Sequence, residues 1–315
     1  MLQSCGGLDD NEFIDADEQA RLDDADIIDY LETNGISATK NETTGIYIRK
    51  DVSNSSGENG NGKICGIYYT ASILGQEPFD EHTEADGESI LMKQGGNAVI
   101  PIGMDFVVGL MSVGETFTFY LPSQEAYGQF TFADIIPANA LIEMTVTLDR
   151  IYSESELLSL ETSTIDDFIE ENDLNDLDEN PVGEVETLAT GVRFKLLNNG
   201  QGSDAPATNQ VVGVKYKGSF LDGKIFDQTQ GEDLLRYRFG TNAVIAGFDA
   251  GVAKLEEGDK CLVIIPSNSA YAQSVRVVPP FIKPSLISNM IIPGYVDSID
   301  PYSILLFEIE LIEIQ

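Results

Sequence analysis

Val211-Val-Gly-Val-Lys-Tyr-Lys-Gly-Ser-Phe-Leu-Asp-Gly-Lys-Ile-Phe-Asp227 reads as strand, tight turn, strand, with Tyr216, Phe226 and Asp227 as its hard points. Downstream, Asn242-Ala-Val-Ile-Ala-Gly-Phe-Asp-Ala-Gly251 sets Val244, Ile245 and Phe248 at the spacing of one apolar helix face, which predicts a short buried helix. Tyr271 follows an Ile-Pro, and Leu305-Leu-Phe-Glu-Ile-Glu-Leu-Ile-Glu-Ile314 alternates apolar and acidic residues as a half-buried antiparallel strand does.

The same arrangement occurs earlier in the chain. Gly45-Ile-Tyr-Ile-Arg matches Gly191-Val-Arg-Phe-Lys, Tyr69 matches Tyr216, Tyr127 matches Tyr271, and Leu141-Ile-Glu-Met-Thr-Val-Thr-Leu148 matches the closing strand. An internal repeat of this length predicts two copies of one module. The expected division is an acidic segment with a short helix at 1–35, a first module at 36–153, an acidic linker and helix at 154–186, and a second module at 187–315. Each module reads as α+β, a strongly bent antiparallel sheet wrapped over one short helix. In the second module that helix carries Phe248, Val252 and Leu255 inward. In the first, Phe106, Leu110 and Met111 have that role.

In order and spacing these pieces resemble the FKBP-type peptidyl-prolyl isomerase family. Its pattern is Tyr-x-Gly-x-x-x-(Asp)-Gly-x-x-Phe-Asp, then Val-Ile-x-Gly-Trp-x-x-Gly, Ala-Tyr-Gly, Ile-Pro-Pro and Phe-x-Val-Glu-Leu. The resemblance covers roughly 45–151 and 191–314. It implies a site in the second module with Phe248 as the platform for a proline ring and Tyr216, Phe226, Val244, Ile245 and Phe307 as walls. It further implies that Asp227 orients Tyr216 or faces the substrate carbonyl carbon, that Tyr271 donates its hydroxyl to a substrate carbonyl, and that Ile299 stands in the Ile-Asp-Pro301 replacing Ile-Pro-Pro.

The first module keeps Tyr69, Phe79, Asp80, Ile100, Tyr127 and Ile136 at the corresponding positions. Its departures are Met104 at the platform, Pro101 in place of the second apolar residue of Val-Ile, and Met144 in place of the closing aromatic. Met is flexible and has no flat face, so this copy is expected to be weak or inactive. The activity implied is cis-trans isomerisation of Xaa-Pro bonds with chaperone character. A non-catalytic scaffold that holds extended or proline-containing partner segments is the other class.

Composition limits the chemistry. With 315 residues, 42% of them hydrophobic, the chain can bury more than one core. A net charge of -35 repels phosphate backbones, and no basic patch stands against it, so no nucleic-acid partner is expected. The second module has no His, since His82 is the chain's only one, which excludes a Ser-His-Asp or Cys-His pair there. No zinc-type ligand cluster or phosphate-cradling Gly loop appears, so neither metal nor cofactor is expected. An apolar aromatic pocket with one carboxylate and a few hydroxyls is poor equipment for hydrolysis and suits rotation about a bond. The expected partners are therefore unfolded or proline-containing polypeptide segments.

Cys65 and Cys261 sit in apolar strand patterns of different repeats and are expected to be buried free thiols. Leu2-Gln-Ser-Cys5-Gly6 resembles the end of a bacterial lipoprotein signal, with Met1 clipping the rest. That resemblance implies a lipid on Cys5 and a cell-envelope location, in the periplasm or at the outer membrane; an ordinary N-terminus with an incidental cysteine is the other reading. No run of about 18 apolar residues occurs, so any membrane contact is expected only through that lipid.

Three further expectations concern the connections. Ile27, Ile28 and Leu31 form one face of a short helix ended by Asn34-Gly35. The acidic linker, through self-repulsion, holds the modules apart. The loop at 272–298, much longer than its counterpart in the first module and rich in apolar residues, packs beside or over the second module's own groove of Phe226, Ile245 and Tyr271 and sets substrate choice.

Overall fold

The computed structural model describes residues 15–96, 99–175, 183–200, 202, 204–292 and 299–315. Cys5, and with it the expected lipid site, lies outside these residues.

Two seven-stranded antiparallel sheets repeat one topology. In the first, the order is Thr39–Lys40, Tyr47–Val52, Thr116–Leu121, Ile142–Tyr152, Ile64–Ile73, with Pro78–His82 and Ile90–Lys93 both pairing with Ile64–Ile73. In the second it is Glu186–Thr187, Arg193–Asn198, Lys260–Ile265, Leu305–Ile314, Val211–Ser219, with Ile225–Gln228 and Leu235–Arg238 both pairing with Val211–Ser219. The long closing strands alternate buried and half-buried residues, as the apolar and polar alternation of their sequences requires.

Against each sheet lies a short helix. In the first module it spans Ile102–Val108, with Met104 fully buried and Met111 just beyond it; Phe106 is half-buried and Leu110 exposed, so only part of the predicted face points inward. In the second module it spans Ala246–Val252, and Phe248, Val252 and Leu255 are buried as expected. Val244 and Ile245 precede this helix rather than open it, Ile245 being its extended N-cap. Cys65 and Cys261 are free and buried, and burial pushes both thiols up to about 12.

Longer helices introduce each module. The first, α1 (Ala16–Thr33), is capped by Asp15 and ends at Asn34, with Gly35 at φ +65°. Ile27 and Leu31 pack against Tyr47 and Tyr120, whereas Ile28 faces solvent. α1 is longer than the predicted helix because its acidic residues form a solvated outer face without breaking the helix.

The second, α2 (Glu154–Glu171), starts directly after the first module's closing strand with a capping box of Ser153 and Glu156. Self-repulsion does not keep this helix clear of the modules. Leu157 joins Ile64 of the first module and Tyr302 of the second, and Ile165 and Ile169 pack on Ile264. Arg193 binds Asp166, and the buried Lys195 donates to the carbonyls of Leu174 and Gly183. The helix period turns Leu157, Ile165 and Ile169 inward and leaves most of the acids outside, Glu161 excepted, so charge density along the sequence did not predict the packing.

The loop after Tyr271 also departs from expectation. It crosses to the first module, where Arg276–Val277 forms a parallel two-stranded ladder with Val99–Ile100. A 3-10 turn at Pro280–Ile282 and a short helix, Lys283–Ser288, follow. Val277, Val278, Ile282, Leu286 and Ile292 are buried in the first module's core, not in the second's. Each such side chain contributes about 1.5–3 kcal/mol on burial, and apolar burial carries no address, so the sequence could not distinguish one groove from the other. The Ile100-Pro101 and Val278-Pro279 peptide bonds are cis. Among the described residues no helix is long and apolar enough to cross a membrane.

Candidate active site

The second module builds its groove from three strands and a helix. Gly218 stands between Asp227 on one neighbouring strand and Phe307 on the other. This register brings Tyr216, Phe226 and Phe307 together over the helix. A Cβ on Gly218 would stand 2.7 Å from the rings of both Phe226 and Phe307, so only glycine leaves room for the two.

The rings meet edge to face. Phe248 lies 5.2 Å from Phe307 and 5.7 Å from Tyr216, and Phe226 lies 5.5 Å from Phe307, all close to perpendicular. Such pairs are the favoured aromatic arrangement and hold a stiff apolar floor. Phe248 and Phe307 are buried; Tyr216, Phe226, Val244 and Ile245 are half-buried and line the opening. Ile299 is buried in the same core.

The polar groups sit at the rim. The Tyr216 hydroxyl donates to the exposed Asp227 carboxylate, and burial together with that bond pushes the phenol above its ordinary range. Tyr271, half-buried, is raised by burial and by the nearby Asp227 charge. Its hydroxyl has no hydrogen-bond partner among the described residues. The Tyr216 bond is the contact that the orienting role expected for Asp227 would use.

The first module repeats this register with different residues. Ala71 pairs with Asp80 and with Met144, where the second module has Gly218 with Asp227 and Phe307. Tyr69 donates to Asp80 at 2.5 Å. Burial raises both Tyr69 and Asp80. Tyr69, Met104, Tyr127, Ile136 and Met144 are all buried, with Phe79 and Ile100 half-buried beside them. The counterparts of Met104, Ile136 and Met144 in the second module are buried too; the difference lies in Tyr69 and Tyr127, buried where Tyr216 and Tyr271 are only half-buried, and the incoming loop meets Tyr127. Tyr127 donates to the Val278 carbonyl at 2.6 Å, and the Val278 amide donates to the Ile100 carbonyl at 2.8 Å.

Two supports escaped the sequence reading. The buried Asp23 of α1 accepts from the Ser123 amide at 2.8 Å and the Ser123 hydroxyl at 2.6 Å, and Glu161 of α2 accepts from the Ser267 amide at 2.9 Å. Ser123 and Ser267 open the turns that lead to Tyr127 and Tyr271, so each introductory helix braces the turn carrying a groove tyrosine. The acid next to each platform residue is the other support: Asp105 accepts from the Gly95 amide at 2.9 Å, and Asp249 from the Gly240 amide at 3.1 Å and the Tyr237 hydroxyl at 3.1 Å. The signal available was the repetition of Asp after Met104 and Phe248.

The sequence model of the FKBP-type peptidyl-prolyl cis-trans isomerases matches residues 56–149 and 202–312. FK506-binding protein 4 of Dictyostelium discoideum is 33% identical over 132 residues, 42% of this chain and 30% of that protein. The FKBP-type peptidyl-prolyl cis-trans isomerase FkpA of Escherichia coli K12 is 32% identical over 133 residues, 42% of this chain and 40% of that protein. The 22 kDa enzyme of the same type from that strain is 32% identical over 141 residues, 44% of this chain and 57% of that protein. These alignments cover less than two thirds of each relative. Among solved structures, a peptidyl-prolyl cis-trans isomerase from Pseudomonas syringae pv. tomato is 29% identical, covering 52% of this chain and 97% of that one at a TM-score of 0.35. The three FKBP domains of wheat FKBP73 are 18% identical over 89% of this chain and 99% of that one, at 0.34. With both repeats matched by the family's model, each with the Tyr-Asp pair and the second tyrosine in place, this chain belongs to the FKBP-type peptidyl-prolyl cis-trans isomerase family.

Proposed function

We propose that the chain catalyses cis-trans isomerisation of Xaa-Pro bonds in unfolded or proline-containing segments, mainly through the second module. Rotation about the bond faces a barrier of about 18–20 kcal/mol because twisting destroys amide resonance. A site lowers that barrier by fitting the twisted state better than the planar one, with no covalent step. The proline ring lies on Phe248, between Tyr216, Phe226 and Phe307, with Val244 and Ile245 at the entrance. Tyr271 donates to a carbonyl beside the rotating bond, and the apolar walls keep water from the twisted amide. The observation that carries this reading is the Tyr127 contact. In the equivalent groove, the equivalent hydroxyl donates to the carbonyl of Val278, whose next residue is Pro279.

The test is a proline-isomerisation assay on the full chain. Tyr271→Phe and Asp227→Ala each lose a hydrogen bond of about 0.5–1.5 kcal/mol, so each should lower kcat/KM about two- to tenfold. Unchanged rates in both, with activity abolished by Asp80→Ala, would reverse the assignment of the active copy. The scaffold reading is favoured for the first module alone, because its groove is buried beneath the loop. A chaperone role and a place in the cell envelope are supported by the resemblances around the groove and Cys5.

A further inference from the structure

We infer that the first module's groove is a peptide-binding site held shut by the chain's own Val277-Val278-Pro279 segment, which occupies it as a stand-in for a client running from β-branched apolar residues into proline. The inference rests on the family reading that Tyr127 stands at the substrate position, and it does not need either module to be active.

The contacts are those of a bound peptide. Arg276–Val277 runs parallel to Val99–Ile100 and forms with it a two-stranded ladder separate from the seven-stranded sheet, a backbone pairing that any extended peptide could make. Both backbone polar groups of Val278 are taken by the groove, its amide by the Ile100 carbonyl and its carbonyl by the Tyr127 hydroxyl. These bonds would be offered equally by any extended chain. Selectivity comes from the side chains. Val277 and Val278 are at most 2% exposed among the groove residues, and Pro279 is buried next to them. The methionines at positions 104 and 144 supply walls that adapt to such side chains.

The segment is anchored on both sides of this contact. Upstream, Arg276 donates to the Leu91 carbonyl of the first module at 3.1 Å and pairs with Asp300 of the second at 3.0 Å. Downstream, Phe281 packs on Phe132 at 5.5 Å, and Ile282 and Leu286 enter the first module's core. The occupant is thus tethered, and a tethered ligand acts at an effective concentration near the millimolar range. A free client meets a groove that is open only a fraction of the time, and its apparent affinity falls by that fraction.

The probe is a labelled synthetic peptide of residues 275–281, with a scrambled peptide of the same composition controlling for attraction to the acidic surface. Binding is read by fluorescence anisotropy on the full chain carrying Asp227→Ala and Tyr271→Phe, which weaken the second groove and are common to every form compared, so that differences between forms report on the first groove and isomerase rates play no part. In that background Val278→Asp places a charge in an apolar site and expels the segment. The expelled form should bind the probe at least about tenfold more tightly than its parent. Adding Tyr127→Phe should remove about two- to tenfold of that affinity. Equal affinity with and without Val278→Asp, or no effect of Tyr127→Phe, overturns the inference. Hydrogen exchange on the chain with an unaltered loop gives a second reading that does not depend on the variant folding. Excess probe should speed exchange of the Arg276, Val277, Val278, Phe281 and Ile282 amides severalfold over the scrambled peptide, and unchanged exchange overturns the inference.

Discussion

At the residue scale, the two copies differ most tellingly at one cross-strand pair. Gly218 faces Phe307 in the second module, and Ala71 faces Met144 in the first. A ring closing the groove requires the missing Cβ, whereas a flexible thioether tolerates a methyl. Gly218→Ala should therefore cost about 1–3 kcal/mol by overpacking and lower activity with it. Combined with Phe307→Met, the loss should be smaller than the sum of the single changes by about 0.5–3 kcal/mol in denaturant melts. Strict additivity would show that the two positions do not share the space. The roles expected of Tyr216, Asp227, Phe248 and Phe307 came from the family resemblance; the strand register then places Asp227 and Phe307 on either side of Gly218. The swap of Gly-Phe for Ala-Met was equally visible, but its meaning needed the facing strands.

At the scale of elements, sheets and short helices followed from alternation and helix period, and the repeat doubled every signal. The introductory helices did not follow in the same way. Their length was hidden by acids that lie on a solvated face, and their task by two carboxylates that look like all the others. Glu161 is buried, one oxygen accepting from the Ser267 amide and the other without a partner among the described residues. Burial raises its carboxyl above the ordinary 4.5, against the lowering effect of the Ser267 bonds. An acid with a raised folded value favours the fold most below its unfolded value, and that contribution is lost as pH rises through the folded value. Glu161→Gln keeps an acceptor for Ser267 and removes the charge. It should melt higher than the parent at neutral pH, with the difference narrowing toward pH about 4. A difference that is constant across this range would mean that burial does not raise the carboxyl.

At the scale of the whole molecule, two similar modules are joined by α2 and by the loop that enters the first groove. In the second module Val244, Ile245 and Tyr271 are half-buried, while in the first the groove residues pack against Val277 and Val278. The apolar character of that loop was evident in the sequence, but not its destination, because hydrophobic surface specifies burial and not a partner. Resonance mapping tests whether a peptide enters the second groove while the first stays filled by the loop. The isotope-labelled full chain is titrated with a short Xaa-Pro peptide at concentrations below those that displace the loop. Shifts are expected at Tyr216, Phe226, Phe248, Tyr271 and Phe307, with Tyr69, Met104, Tyr127 and Met144 unmoved. Shifts confined to the first module's residues, with the second module's silent, would contradict that expectation.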